Sequence, residues 1–149
     1  MVRKIAWLIT GVVMLLGLST CSKKRSTAPG GGGLPATYTT YSASVQPIWN
    51  LQCSGIGCHV SAGVLPGGGL RLDNGVSHSN LVNTASQDFP SLIRVVPNKV
   101  DSSYLIDKLE GTQASVGGGG DRMPQIGGFL SATTINVIKA WIQDSARFQ

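Results

Sequence analysis

The chain has 149 residues, a formal net charge of +5 and 20 glycines, a length that allows one small domain and no more. The excess positive charge comes from the first 25 residues, since the seven basic and seven acidic residues from position 41 onward balance. A near-neutral folded region has no basic face and argues against a nucleic-acid partner. Residues 1–20, 21–40 and 41–149 form three segments of different composition.

The first segment, residues 1–20, has the organisation of a signal peptide. Arg3 and Lys4 precede an apolar stretch from Ile5 to Leu18, which is short for a membrane span and typical of an export signal. The run Leu18-Ser19-Thr20-Cys21 resembles the lipobox of bacterial lipoproteins, in which the cysteine is lipidated and becomes the first mature residue. We expect export and a lipid anchor at Cys21, with ordinary signal cleavage nearby as the alternative.

The second segment, residues 21–40, is predicted to be a flexible tether. Lys23 to Arg25 would lie at the lipid surface, and the Gly- and Pro-rich run that follows cannot bury a core. The expected location is the periplasmic or cell-surface face of a membrane. Ser22 stands where an inner-membrane retention signal would have Asp, which favours the outer membrane.

The third segment, residues 41–149, predicts an all-α domain with long Gly-rich loops, because no stretch alternates in polarity as a sheet would require. The first helix has Ser44 as N-cap, runs from Val45 to Gln52 and turns Trp49 inward. Three more helices are predicted. They run from Ser77 to Val82, from Asp101 or Ser102 to Gly111, and from the N-cap Ser131 with Ile135, Ile138, Trp141 and Ile142 on the buried side.

The most specific motif follows the first predicted helix. Cys53-Ser54-Gly55-Ile56-Gly57-Cys58-His59 resembles the C-x-x-C-H site of covalent haem attachment, with a spacer two residues longer. Each thiol would add across a haem vinyl group to form a thioether, and His59 would be the fifth iron ligand. Gly55 and Gly57 give the longer spacer the freedom to bulge. We expect one covalent haem c, whose apolar faces fill the core of a glycine-rich domain.

Met123 and His78 are the candidates for a sixth iron ligand outside the signal segment. Met123 lies in a loop before the last predicted helix, from which a thioether can reach across the haem ring. His78 follows a predicted helix start, where an exposed polar side chain needs no further explanation. We expect ligation by Met123; the alternatives are His78, an open coordination position, and a Met that only fills a gap.

Other residues are predicted to support the haem. A ligating His normally donates its other ring N–H to a backbone carbonyl, and the residues around Pro66 follow His59 at a suitable distance. Arg94 and Arg122 are candidates to pair with the haem propionates, because guanidinium groups match carboxylates in shape and charge.

The two cysteines of the motif allow other interpretations. In an oxidising compartment Cys53 and Cys58 could form a disulfide, although this explains neither His59 nor Met123. A zinc site from Cys53, Cys58, His59 and His78 is also possible, but adjacent Cys and His residues are awkward for tetrahedral ligation.

From Ser42 to the C-terminus the chain resembles the small single-haem cytochrome c domains of exported bacterial proteins. The resemblance implies that His59 is the proximal ligand and Met123 the distal one, and that the first and last helices pack together. The matching blocks are Val45-Gln46-Pro47-Ile48-Trp49, Cys58-His59, Gly69-Leu70-Arg71-Leu72, Asn80-Leu81-Val82, Arg94-Val95-Val96-Pro97, Ser103 to Gly111, Arg122-Met123-Pro124 and Ile138-Lys139-Ala140-Trp141-Ile142.

The expected function is electron transfer. An iron with six filled ligand positions has no place for substrate, so it exchanges electrons with redox protein partners, and a membrane tether lets the domain search for them. Two alternatives belong to other classes of protein. One is an open-iron enzyme acting on peroxide or a small gas, and the other is a disulfide-closed adhesion or assembly module without redox function.

Overall fold

The computed structural model of the protein describes residues 37–55, 58–60 and 69–148. The predicted signal segment, Cys21 and most of the predicted tether lie outside these residues. Within the described ranges the secondary structure is helical, with isolated β-bridges and no strand, which agrees with the all-α expectation. None of the helices in these ranges is long and apolar enough to cross a membrane.

The N-terminal helix, residues 41–53, has π-helical turns at both ends. Tyr41–Val45 and Trp49–Cys53 are π-helical, and α1, Gln46–Ile48, joins them. Thr40 caps the helix by accepting a hydrogen bond from the backbone N–H of Ala43 at 3.2 Å. The prediction of Ser44 as N-cap is wrong, because Ser44 is buried within the helix and its hydroxyl accepts a bond from the Thr39 amide at 2.9 Å.

Two short helices follow. Helix α2 spans Ser77–Leu81, which confirms the predicted start. Helix α3 spans Tyr104–Glu110 and begins later than predicted, because Val100–Ser102 forms a separate 3-10 turn. It ends at Gly111 as predicted, since this residue has a φ of +85°, a left-handed conformation that glycine adopts without steric cost. A second 3-10 helix, Gln113–Val116, was not predicted.

The longest regular element is α4, Ala132–Gln143. Its predicted cap is confirmed, because Ser131 Oγ accepts a hydrogen bond from the Thr134 amide at 3.1 Å. The apolar side chains expected on its inner face are all buried: Ile135, Ile138, Trp141 and Ile142.

The N-terminal helix packs against α4. Trp49 and Trp141 are both fully buried, as predicted, and the ring centroids of Tyr41 and Trp141 lie 5.0 Å apart. Trp49 Nε1 donates a hydrogen bond to Tyr41 Oη at 3.2 Å. The first and last helices of the described residues therefore share one apolar core, and the segment that contains His59 follows the first of them.

Residues 117–121, which we call the glycine loop, pack against α3. A Cβ placed on Gly118 would lie 2.4 Å from the Tyr104 ring, and one placed on Gly119 would lie 2.9 Å from the Phe89 ring. Real Cβ atoms do not approach other atoms so closely. The glycines therefore allow the backbone of this loop to lie directly on aromatic side chains.

Candidate functional site

The two ends of the Cys53–His59 motif are held together by backbone hydrogen bonds. The His59 amide donates to the Cys53 carbonyl at 3.1 Å, and the Cys58 amide donates to the Gly55 carbonyl at 2.9 Å. Cys53 lies at the end of the N-terminal helix with 8% of its surface exposed. The chain turns back on itself immediately after this helix, which brings the backbone of His59 beside that of Cys53.

The imidazole of His59 is oriented by a backbone carbonyl. Its Nδ1 lies 3.2 Å from the Leu70 oxygen, and its own carbonyl accepts a hydrogen bond from the Leu72 amide at 2.8 Å. An Nδ1–H donated to Leu70 leaves Nε2 as the nitrogen that can ligate a metal. The carbonyl was expected near Pro66, which lies outside the described residues; the structure assigns the role to Leu70.

Burial and neighbouring cations lower the pKa of His59. Loss of contact with water is the larger cause, and the positive charges of Arg94 and Lys108 act in the same direction. The bond to the Leu70 carbonyl opposes them. The lowered pKa favours the neutral imidazole, which is the form that ligates metals.

The two thiols of the motif differ in state. Cys53 is a free thiol, and burial raises its pKa to about 12. Cys58 is disulfide-bonded in the structure, and because Cys53 is free the two are not bonded to each other. The structure therefore does not contain the Cys53–Cys58 disulfide that the sequence allowed as an alternative.

Met123 lies at the start of a loop that is fixed to α3. Its side chain packs, partly buried, against the main apolar core, and its amide donates a hydrogen bond to the Lys108 carbonyl at 2.8 Å. Lys108 is also one of the two cations that act on His59. The structure thus connects both predicted iron ligands to one residue of α3.

The two arginines predicted to contact haem propionates occupy different settings. Arg94 is buried, donates from Nη1 to the Asn80 carbonyl at 2.8 Å and exerts its charge on His59. Arg122 donates from Nε to the Leu109 carbonyl at 2.8 Å, and its guanidinium carbon lies 4.1 Å from the centroid of the Phe129 ring. Arg94 therefore belongs to the surroundings of His59, and Arg122 to those of Met123.

His78 lies in an aromatic cluster. Its Nε2 is 2.7 Å from the Ala146 carbonyl, and its ring packs edge-on against Tyr41 and Phe148 at 5.3 Å from each. This side chain connects α2 to the C-terminal residues. Among the residues that the structure describes, no three His, Cys, Asp or Glu side chains are grouped to hold a metal, so the zinc alternative gains no support.

Sequence reasoning missed Lys108 and the Leu70 carbonyl. A lysine in a short amphipathic helix gives no signal, because such residues usually lie in solvent. A backbone carbonyl carries no side-chain signature at all.

Comparisons with models of protein families, with curated proteins and with solved structures found no match for this chain.

Proposed function

We propose that this chain is a single-haem c-type cytochrome that carries electrons near a membrane. In this proposal Cys53 and Cys58 form the thioethers, and His59 and Met123 are the axial iron ligands. The observation that carries it is the orientation of His59, whose Nδ1 lies 3.2 Å from the Leu70 carbonyl oxygen. His59 directly follows the second of two cysteines in a motif that resembles C-x-x-C-H with a longer spacer. A cytochrome c-like arrangement of the helices is part of the same proposal.

The donor set suits a c-type haem. The bound haem would supply an iron that cycles between the ferric and ferrous states. His59 offers a neutral imidazole with one nitrogen oriented by a carbonyl, and Met123 offers a thioether on a loop fixed to α3. Thioether formation at Cys58 requires a free sulfur, so we expect the reduced chain to be the form that takes up haem.

The cations near His59 would favour the reduced protein. Arg94 and Lys108 are close enough to lower the pKa of His59. The same charges disfavour the additional positive charge of a ferric centre. Together with a thioether ligand, which also favours the ferrous state, they predict a relatively high reduction potential.

The anchor and the partners belong to the proposal as well. A lipid on Cys21 and the tether of residues 21–40 would hold the domain at the periplasmic or cell-surface side of a membrane, within reach of redox proteins. Arg94 and Arg122 would balance the charge of the haem propionates. Electron exchange alone would make the protein a carrier and not an enzyme.

The test is an optical spectrum of the protein expressed with a c-type maturation system. We expect haem that survives denaturing electrophoresis, an alkaline pyridine spectrum of c type, and a Met-to-iron band near the red end of the oxidised spectrum. Replacing Met123→Ala should abolish this band while covalent haem is retained, because only the distal ligand is lost.

The control is Ile126→Ala, which removes apolar side-chain atoms from an exposed position in the same loop and should leave the band in place. Survival of the band in Met123→Ala would show that the sixth ligand is misassigned. A high-spin ferrous spectrum with rapid carbon monoxide binding in the unmodified protein would favour the open-iron alternative. A compact, cooperatively melting preparation without haem would overturn the proposal.

A further inference from the structure

One face of α3 holds the glycine loop. Tyr104 and Lys108 are four residues apart and lie on the same side of this helix. The Tyr104 hydroxyl accepts a hydrogen bond from the Gly119 amide at 3.3 Å. Lys108 Nζ donates to the Gly119 carbonyl at 3.1 Å, so both side chains bind the same residue of the loop.

Lys108 makes two further contacts with the chain that leads to Met123. Its ammonium group also donates to the Asp121 carbonyl, at 2.5 Å. Its own carbonyl accepts the hydrogen bond from the Met123 amide at 2.8 Å. One residue thus fixes three positions within the five residues 119–123: Gly119 and Asp121 of the glycine loop, and Met123 just after it.

These contacts are stronger than ordinary loop contacts. Hydrogen bonds from an ammonium group are roughly twice as strong as those between neutral groups. Lys108 is half-buried, and its bond to the Gly119 carbonyl is partly shielded from water, whereas its bond to the Asp121 carbonyl is exposed. The remaining carbonyl, that of Gly120, accepts a bond from Gln113 Nε2 at 2.7 Å, so three successive carbonyls are held by side chains from α3 and the 3-10 helix after it.

We propose that Lys108 is the positioning residue for Met123: its ammonium group fixes the glycine loop so that the thioether is presented to the iron. This inference rests on the proposed function, because it gives Lys108 a role only if Met123 is an iron ligand. A glycine-rich segment has high conformational entropy when free, so the backbone before Met123 would be mobile without such an anchor.

The test replaces Lys108→Met in the haem-loaded full chain, which keeps the length and apolar stem of the side chain but removes the ammonium group. We expect the equilibrium constant for dissociation of Met123 from the iron to rise by at least about tenfold, because two charge-assisted hydrogen bonds are lost, one of them at an exposed position. The measurement is loss of the Met-to-iron band during guanidinium titration, compared with unfolding followed by far-ultraviolet circular dichroism in the same samples.

A positioning role predicts that the band is lost at a lower guanidinium concentration while the unfolding midpoint changes little. Lys108→Arg should recover part of the effect, because a guanidinium group can donate to the same carbonyls. Lys139→Met is the matched control: it removes an ammonium group that pairs with Glu110 of α3 at 2.7 Å but does not contact the glycine loop. We expect it to change the dissociation constant by less than about twofold, as is usual for partly exposed ion pairs.

Hydrogen exchange gives a second readout that does not depend on the iron spectrum. Amides of residues 119–123 should exchange faster in Lys108→Met than in Lys139→Met. If the unmodified protein shows no Met-to-iron band, Met123 is not a ligand, and the proposed function and this inference both fail as stated. If the band is present and resists guanidinium equally in the unmodified protein and in Lys108→Met, the inference about Lys108 fails and the proposed function stands.

Discussion

Buried polar side chains in this domain act mainly as partners for loop backbone. Ser103 is fully buried, accepts a hydrogen bond from the Val96 amide at 2.9 Å and donates one to the Lys99 carbonyl at 2.8 Å. Gln46 is also buried, and its Nε2 donates to the Leu72 carbonyl at 3.0 Å. A chain with long loops must satisfy many backbone groups outside regular helices, and these side chains do so.

Replacing Ser103→Ala should lower the free energy of unfolding by about 1–3 kcal/mol, because the partly buried Val96 amide would lose its hydrogen-bond partner. Chemical denaturation of the two proteins would measure the difference. Ser115→Ala is the control, since the Ser115 hydroxyl is exposed and donates only to the Thr112 carbonyl, and we expect a change within about 0.5 kcal/mol. Equal effects of the two substitutions would contradict the role given to Ser103.

At individual positions the sequence names candidate residues but not their contact partners. Two thiols followed by His59 indicate haem chemistry without any structural knowledge. The identity of the carbonyl on His59 was not predictable, since it depends on the path of the loop between His59 and Leu70. The same holds for Lys108, whose side chain reaches residues that are 11 and 13 positions away in sequence.

Helix boundaries were predictable where a single capping residue or a terminal glycine determines them. The cap at Ser131 and the glycine end of α3 were predicted, because each depends on a residue within one turn of the helix. The start of the N-terminal helix was placed wrongly, since Thr40 and Ser44 both carry hydroxyls that can cap. Only the folded chain shows that the Ser44 hydroxyl is turned back to Thr39.

The close packing of the glycine loop against α3 predicts the effect of a substitution in the loop on stability. Gly118→Ala would place a methyl group 2.4 Å from the Tyr104 ring, so the loop would have to move away from α3. We expect a loss of unfolding free energy of about 1–3 kcal/mol, the usual cost of overpacking. Thermal unfolding would measure it, and a change below about 0.5 kcal/mol would contradict the close packing of loop and helix.

At the scale of the whole molecule, Tyr41 connects the N-terminal helix to α2 and α4 of the described residues. Its ring packs against Trp141, and its hydroxyl donates to Ser77 Oγ at 2.6 Å and accepts from Trp49 Nε1. Burial raises the pKa of Tyr41 above its usual value of 10.0, although the bonds to Ser77 and Trp49 oppose this shift. The folded protein therefore favours the protonated phenol.

Stability should fall with rising pH above about 10, the ordinary pKa of tyrosine. A phenol whose pKa is raised by folding contributes its full stability below the unfolded pKa and loses it as the pH rises through the folded pKa. Tyr41→Phe should flatten the dependence of unfolding free energy on pH between about 9.5 and 11.5. Tyr38→Phe, at a partly exposed position, should flatten it less, and the reverse order would contradict the argument.

The burial of Cys53 bears on whether haem attachment precedes or follows folding in the proposed cytochrome. Cys53 is 8% exposed and belongs to the main core, to which α4 contributes buried side chains. An attachment apparatus would have little access to this residue in the folded domain. If the proposed function is right, we therefore expect haem to be attached before the domain folds, and a chain that folds first would stay without its cofactor.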